Sequence, residues 1–242
     1  MVAKAKPLTV SEAQRAIYID FEGTAVDPPS LLGIVWHDGD EANFVQYVVE
    51  EELWPAAEAK SPDHGGNCRK ATWADLAEIR HRAETEHRRV FAWSTHEADA
   101  LSEHVPSQPD REWFAANVEN AIPHAKAWKK TNHPDVVFKK DPKNPFLGKN
   151  RLNRYFSLID YPVPQAFGPG NTAQRIRKVR EMLKQRGGNY SALTGTKKGQ
   201  WTKVLKHNWH DCDGLRALIL ECVSDLGTKP ADESYPSTGL VA

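Results

Sequence analysis

AIYIDFEGT, at residues 16–24, is the most informative segment of this chain, because a run of β-branched and aromatic residues passes directly into two acids. Side chains alternate along a strand, so Asp20 and Glu22 point to the same side of the strand end. Two carboxylates held this close at the edge of a core repel each other unless they are protonated or bind a cation. A hard divalent ion such as Mg²⁺ or Mn²⁺ is the usual partner. The alternative is an ordinary strand end that runs into an acidic turn.

Length and composition indicate a globular protein. The chain has 242 residues, of which 40% are hydrophobic and 26% charged, and one compact core is the default expectation. We expect a single domain over 13–227, with flexible tails at 1–12 and 228–242. The apolar runs are too short to span a membrane and the N-terminus leads into no apolar signal segment, which predicts a cytoplasmic protein without a membrane partner. Three widely spaced cysteines without a CxxC pair support neither a disulfide framework nor a zinc ribbon.

Charge is strongly segregated along the chain although its formal net charge is zero. Residues 1–119 hold 11 Lys and Arg against 22 Asp and Glu, whereas residues 120–206 hold 19 against 4, a net charge of +15. Aromatic residues alternate with these cations, which suits phosphates and stacked bases; a set of solvated helix faces and a flexible loop is the alternative. The candidate nucleic-acid-binding residues are Lys139, Lys140, Lys149, Arg151, Arg154, Tyr155, Arg175, Lys178, Lys197, Lys198 and Trp201.

The order of secondary structure is the next prediction. Strands are expected at 15–21, 31–36 and 42–49, the last two forming a hairpin around Asp38-Gly39, and a further strand at 89–93. Residues 129–171 are rich in Pro, Lys and Asn and predict an irregular basic insertion with a short strand at 135–138. Apolar spacing and Gly stops predict helices at 110–128, 172–186, 199–206 and 208–226.

Two further acids occur where a metal site needs them. Asp211 lies one turn before Leu215 on the apolar stripe of the last helix, and His207 and Asn208 lie a further turn back, so all three can face one point. A carboxylate on a buried face needs a partner. Glu97 follows the strand at 89–93, with Asp99 as its nearest competitor. The alternative for Asp211, or for Asp213, is a cap at the helix N-terminus, where acids are favoured.

These motifs resemble the RNase H-like superfamily, and within it the DEDD exonuclease group. The Asp-x-Glu strand is similar to the first motif, FAWSTHE at 91–97 to the second, and HNWHDC at 207–212 to the third. RYFSL at 154–158 resembles the Tyr-x-Ser-Leu box between the last two. The second motif carries Glu97, as in one subgroup, and His207 stands where the third motif has Tyr. The resemblance implies an α/β fold with a mixed central sheet, antiparallel in its first three strands and flanked by helices.

The resemblance also implies a function, a 3′–5′ exonuclease that hydrolyses phosphodiester bonds of DNA or RNA by a two-metal mechanism with Mg²⁺ or Mn²⁺. By the family's logic Asp20 bridges both ions, Glu22 and Asp211 hold the ion that activates water, and Glu97 holds the other. His207 would orient or deprotonate the nucleophile, a role that suits a near-neutral pKa. The basic segment would grip nucleic acid, single strands above all, with Trp201 or Tyr155 as stacking platforms. A helicase or another nuclease component is a possible partner.

Three alternatives stay open on the sequence. DFEGT at 20–24 is similar to the opening of haloacid dehalogenase-like phosphatases, in which Asp20 would be a covalent nucleophile. A catalytically inactive nucleic-acid-binding module would use the basic segment alone. His207, His210 and Cys212, with or without His64 and Cys68, would serve a structural zinc site, although no spacing here matches a known finger.

Overall fold

A mixed six-stranded sheet forms the centre of the molecule, as predicted. The computed structural model describes residues 7–24, 27–140, 148–162 and 171–227. Within them the strand order is β4-β3-β2-β1-β5-β6, with β1–β2 and β2–β3 antiparallel and the other neighbours parallel. The strands are β1 (Ile17–Glu22), β2 (Leu31–Asp38), β3 (Glu41–Val48), β4 (Cys68–Lys70), β5 (Val90–Ala92) and β6 (Val118–Asn120).

Helices pack on both faces of this sheet. None of those in the described ranges combines the length and the apolar character that crossing a membrane requires. Short 3-10 helices occur at Glu51–Leu53, Pro62–His64 and Tyr190–Ala192. The α-helices are α1 (Val10–Arg15), α2 (Trp54–Glu58), α3 (Ala77–Thr85), α4 (His96–His104), α5 (Gln108–Asn117), α6 (Ile122–Asn132), α7 (Leu152–Phe156), α8 (Thr172–Gln185) and α9 (Gly195–Gly227).

The alternation of β1 divides the core between the two faces. Ile17 and Ile19 belong to a cluster with residues of α3 and α5, whereas Tyr18 belongs to a cluster with the second half of α9. Because side chains two apart share a face, Asp20 and Glu22 lie on the α9 side, in line with Tyr18. The first strand therefore aims its two acids at the long C-terminal helix.

The helix α9 differs most from the prediction. We predicted two helices, at 199–206 and 208–226, but one helix of 33 residues runs from Gly195 to Gly227. His207 and Asn208, taken as the boundary, are buried against the sheet. Trp201 and Val204 pack on one part of the sheet and Leu215 and its followers on another, so tertiary packing carries the helix through its polar centre. Asp211 is consequently in the middle of the helix and caps no terminus.

The predicted helix at 110–128 is also wrong, because β6 interrupts it. Residues Val118–Asn120 pair in parallel with β5, and the Asn120 side chain accepts a hydrogen bond from the Ile122 backbone N–H at 2.9 Å. Pro123 then occupies the first turn of α6, where its missing N–H costs nothing. The proline was the local signal for a new helix start.

Three smaller predictions need correction. The tail at 1–12 is ordered from Thr9, which forms a capping box with Glu12 at the start of α1; residues 1–6, like the tail at 228–242, lie outside the described residues. The basic insertion at 129–171 is partly helical, since it contains the end of α6 and all of α7, whereas residues 141–147 and 163–170 lie outside the description. No strand forms at 135–138, where the Val136 N–H instead bonds to the His133 carbonyl at 3.2 Å.

Candidate metal centre

A row of three residues across the sheet builds the socket of the site. Asp20, Gly33 and Gln46 are register partners on β1, β2 and β3. Gly33 has no side chain, and Asn208 of α9 fills the space that this leaves. A Cβ atom placed on Gly33 would lie 2.1 Å from Asn208 Oδ1. The helix therefore approaches the sheet most closely at the point where the first acid stands.

Asn208 ties the helix to the strand. Its Nδ2 donates to the Asp20 backbone carbonyl at 2.9 Å and to Asp20 Oδ2 at 3.1 Å, and its Oδ1 accepts from Gln46 Nε2 at 2.8 Å. Gln46 also donates to the Leu205 carbonyl at 3.0 Å. Every polar atom of the Asn208 amide group is thus bonded to the sheet. The network fixes α9 in register with β1 and holds one oxygen of the Asp20 carboxylate in place.

Glu22, His207 and Asp211 converge beside this socket. His207 and Asp211 share a face of α9 because they are four residues apart, and Glu22 faces them from β1. The His207 Nε2 atom lies 3.7 Å from Glu22 Oε1 and 3.7 Å from Asp211 Oδ2. Among the described residues this is the only group of three or more possible ligands whose atoms all lie within 4.8 Å of one another.

Two atoms in this group are buried and unsatisfied. Within the part of the chain that the structure describes, Glu22 Oε1 and His207 Nδ1 have no hydrogen-bond partner, and both residues are 9% exposed. A buried polar atom without a partner costs about 1–3 kcal/mol. The 3.7 Å distances are too long for direct hydrogen bonds, whereas ligands about 2 Å from a common small cation stand roughly 3–4 Å apart. The residues present therefore fit a divalent cation.

The electrostatics of the acids lead to the same result. Burial, followed by the charges of the neighbouring carboxylates, holds the pKa values of Asp20 and Glu22 well above their usual range. Burial raises the pKa of Asp211 to about 7. The Arg175 cation acts in the opposite direction on the pKa of Glu22, and the Asn208 hydrogen bond does so for Asp20. The charged forms of these acids are therefore disfavoured without a nearby positive charge, which a bound cation would supply.

Glu97 contributes to the same site from α4, the helix that follows β5. It lies in the first turn of α4, is 6% exposed, and its Oε2 accepts from Ser94 Oγ at 3.0 Å and from the Ser94 N–H at 3.3 Å. Burial raises the pKa of its carboxyl group. Asp99, its competitor on the sequence, is exposed. Glu97 lines a cavity of about 340 Å³ together with Asp20, His207 and Asp211.

His207 differs from the expectation in its protonation. Burial, followed by the Arg175 cation, lowers the pKa of His207 to about 4 instead of leaving it near neutral. The neutral ring is the form present at physiological pH, with a lone pair on one nitrogen. Because the ring is a weak base in the metal-free protein, it is better suited to orienting a water or a ligand than to removing a proton.

The prediction that Trp201 and Tyr155 are stacking platforms is wrong. Trp201 is fully buried, packs among the residues on which α8 rests, and donates its Nε1–H to the Ala56 carbonyl at 3.1 Å. Tyr155 is also fully buried, between Trp93 and Phe138. Both aromatic rings belong to the core, because α7 and the beginning of α9 bury the apolar faces that the sequence could not assign.

The predicted cations separate into distinct groups. Arg151 lines the 340 Å³ cavity, and Arg175 is close enough to the site to shift the pKa values of Glu22 and His207. Arg154 donates to the Lys139 and Lys149 carbonyls and so holds backbone. The remaining predicted cations are exposed or half-buried on α8, at the start of α9 and beside α7, and comprise Lys139, Lys140, Lys149, Lys178, Lys197 and Lys198.

The geometry supports neither the zinc site nor the phosphatase-like interpretation of the sequence. His207, His210 and Cys212 do not form a group of close ligand atoms, since within the described ranges His207 converges with Glu22 and Asp211 instead. Cys68 and Cys212 are buried in different hydrophobic clusters and His64 is exposed, so these residues do not complete a zinc site either. After β1 the chain turns back into antiparallel β2, whereas the phosphatase-like interpretation requires a helix or cap there.

Sequence reasoning missed Gly33 and Gln46, and it missed the hydrogen bonds of Asn208. An isolated glycine inside an apolar strand often marks close backbone approach, and Gly33 between Leu32 and Ile34 was such a signal. Gln46 gave a weaker one, as a polar residue on a buried stretch of β3. Their partnership with Asn208 spans more than 150 residues of sequence and has no local signature.

In metal-free protein we expect Asp211 to make stability fall as pH rises. Its carboxyl pKa is about 7 when folded against a usual 3.8, so across this window the folded state holds a proton that the unfolded state releases. The loss of stability that comes from ionising Asp211 in the folded state is absent below about pH 4, grows as the pH rises and is complete above about pH 7. Relative to Asp211→Asn, wild type should lose about 2 kcal/mol between about pH 5 and pH 8.

Urea unfolding in EDTA at the two pH values measures this difference. Asp211→Asn is the control, because it removes this titrating group; the comparison reports Asp211 together with its effect on the pKa values of Asp20 and Glu22. Adding Mn²⁺ at about pH 8 should restore the stability of the wild type more than that of the variant. Parallel pH profiles of the two proteins would contradict the assignment.

No protein-family model, curated protein or solved structure matches this chain. Its own residues therefore define it as an α/β protein with a mixed sheet and a buried carboxylate–histidine cluster at the end of the first strand.

Proposed function

We propose that this protein is a metal-dependent nuclease that hydrolyses phosphodiester bonds of DNA or RNA, with an RNase H-like fold and the 3′–5′ exonuclease activity of the DEDD group. The observation that carries the proposal is the convergence of acids from three elements. Asp20 and Glu22 come from β1, Glu97 from α4, and Asp211 with His207 from α9. All five were selected on sequence patterns alone.

The stability of the fold does not explain why these acids converge. Each buried carboxylate costs stability unless it has a partner, and Asp211 caps no helix end because it lies mid-helix. Gathering four acids in one buried place disfavours their charged forms, and Glu22 Oε1 has no hydrogen-bond partner among the described residues; a bound cation would offset both costs. The antiparallel β1–β3 followed by parallel β5 also agrees with the resemblance.

The roles of the residues follow from their placement. Asp20, Glu22, Glu97 and Asp211 would hold two Mg²⁺ or Mn²⁺ ions. When bound, such ions lower the pKa of a water, orient it in line with the phosphorus, and neutralise charge on the leaving oxygen.

The remaining side chains position these ligands. Asn208 holds the Asp20 carboxylate, and Ser94 holds that of Glu97. His207, neutral and in van der Waals reach of Glu22 and Asp211, orients the attacking water through a ring nitrogen. Hydrogen bonds to the side chains that hold a metal fix the geometry of those side chains, and removing such bonds is costly for metal affinity or activity.

The test incubates wild type and Asp20→Asn with end-labelled single- and double-stranded DNA and RNA, in Mg²⁺, Mn²⁺ or EDTA. Products made only by wild type with metal support the nuclease, and the label shows the polarity of cleavage. Binding by both proteins without cleavage by either would favour an inactive binding module. Release of phosphate from p-nitrophenyl phosphate without nuclease activity would favour the phosphatase.

A further inference from the structure

A larger cavity, the basic groove, lies next to the metal centre. It encloses about 600 Å³, and its cationic lining residues are Lys126, Lys129, Lys130 and Lys149. Among the described residues that line it, none is acidic. The first three come from α6 and the fourth from the segment before α7, so two separate segments contribute positive charge to the groove. This concentration of charge is suited to a polyanion.

The groove and the acidic cavity meet at one residue. Asn150 lines both of them, and Tyr155 donates its hydroxyl to Asn150 Oδ1 at 3.3 Å. Arg151, the next residue, lines the acidic cavity beside Glu97. A chain in the groove that continued along Asn150 and Arg151 would reach the carboxylates.

The apolar part of the groove indicates the form of the polyanion. Val137 is 74% exposed, and Phe138 lies half-buried beside it with the Lys129 ammonium 5.1 Å from its ring centroid. A duplex presents phosphates and sugars to such a wall, whereas an unpaired strand also presents the faces of its bases. Apolar side chains between lysines therefore suit an unpaired strand.

Arg151 carries an unused donor at the junction. Its Nε atom is buried and has no hydrogen-bond partner within the described part of the chain. Guanidinium is charged at every relevant pH and pairs with phosphate through two parallel N–H groups. Arg151 as a whole is half-buried and lines the acidic cavity, so its guanidinium group can pair with a phosphate at the mouth of that cavity.

We propose that the basic groove binds the single-stranded nucleic-acid segment that adjoins the bond to be cut, and that Arg151 holds the phosphate at its junction with the metal centre. This inference rests on the proposed nuclease function. It replaces the predicted stacking on Tyr155 and Trp201 with contacts to Lys126, Lys130 and Lys149.

The test of the groove compares two double charge reversals in the full chain. Lys126→Glu/Lys130→Glu changes the groove, and Lys184→Glu/Arg186→Glu makes the same charge change on exposed residues of the C-terminal end of α8. Fluorescence anisotropy in EDTA measures binding of a labelled single strand and of its duplex. The groove variant should bind the single strand about tenfold or more weaker, with a salt slope lower by about 1–2, and the control by less than about twofold. Equal losses in both variants, or no binding by wild type, would overturn the groove.

The test of Arg151 uses cleavage. Arg151→Gln should raise KM and lower kcat, and Arg151→Lys should recover part of KM, because a lysine supplies charge without the paired N–H geometry. Unchanged constants in Arg151→Gln would overturn this role.

The two proposals fail in different ways. Wild-type protein that binds single strands through the groove but cuts nothing would end the nuclease proposal and leave the groove. Normal cleavage with an unchanged KM in the groove variant would end the groove and leave the nuclease.

Discussion

Asp211→Asn should reduce metal-dependent cleavage by about 10³-fold or more, which corresponds to about 4 kcal/mol of transition-state stabilisation. The carboxylate lies 3.7 Å from His207 Nε2 and belongs to the group that would hold the ions. An amide keeps the size of the side chain but supplies no negative charge to a metal. Since the charged form of Asp211 is disfavoured in the metal-free fold, the variant should remain folded or become more stable.

Asp213→Asn is the matched control. Asp213 lies two residues further along α9 and accepts a hydrogen bond from the Tyr161 hydroxyl at 2.8 Å, which an amide oxygen can also accept. Its cleavage rate should stay within about threefold of wild type. Mn²⁺ binding, followed by electron paramagnetic resonance, gives a second readout that needs no substrate. Equal activity of the two variants, or full Mn²⁺ binding by Asp211→Asn, would contradict the metal centre.

Gly33→Ala should cost about 2–4 kcal/mol in the free energy of unfolding. Its Cβ would lie 2.1 Å from Asn208 Oδ1 and 2.7 Å from Asn208 Cγ, so either α9 or the strand must move. Overpacking of this kind costs about 1–3 kcal/mol. The hydrogen bonds from Asn208 to Asp20 and from Gln46 to Asn208 are lost or weakened in addition. Cleavage should fall with stability, because Asp20 loses its support.

Gly199→Ala is the control within α9, since a Cβ at Gly199 would meet nothing within 4 Å. Alanine there should raise stability by up to about 1 kcal/mol through helix propensity. Urea unfolding measures both changes. A double-mutant cycle with Asn208→Ala should show that Gly33→Ala costs less once the Asn208 side chain is gone. Additive costs would mean that the close approach is not the cause.

The position of the site within α9 explains why the two effects are linked. The helix packs its first third and its second half on separate apolar clusters, and between them it carries His207, Asn208 and Asp211. Packing on both sides holds the polar centre rigidly against β1. Any change that tilts α9 therefore moves the ligands as a group.

Most of the metal centre could be predicted from local patterns. A period of two placed Asp20 and Glu22 on one face of β1, and a period of 3.6 placed His207 in line with Asp211, because these repeats are properties of the backbone itself. The strand before Glu97 and the hairpin at Gly39 likewise depend on neighbouring residues. For this reason the antiparallel start of the sheet was predicted correctly, and four acids were selected that the fold brings together.

Only the tertiary structure decided the rest. The continuity of α9 through His207 depends on burial against the sheet, and the socket at Gly33 depends on a residue 175 positions later. Tyr155 and Trp201 lie among basic residues in the sequence, as the aromatic residues of a stacking surface would, yet packing placed both in the core. Sequence periodicity specifies which residues share a face, whereas long-range contacts decide which partner covers that face. These contacts buried Tyr155 and Trp201 and left the groove lined by lysines accessible.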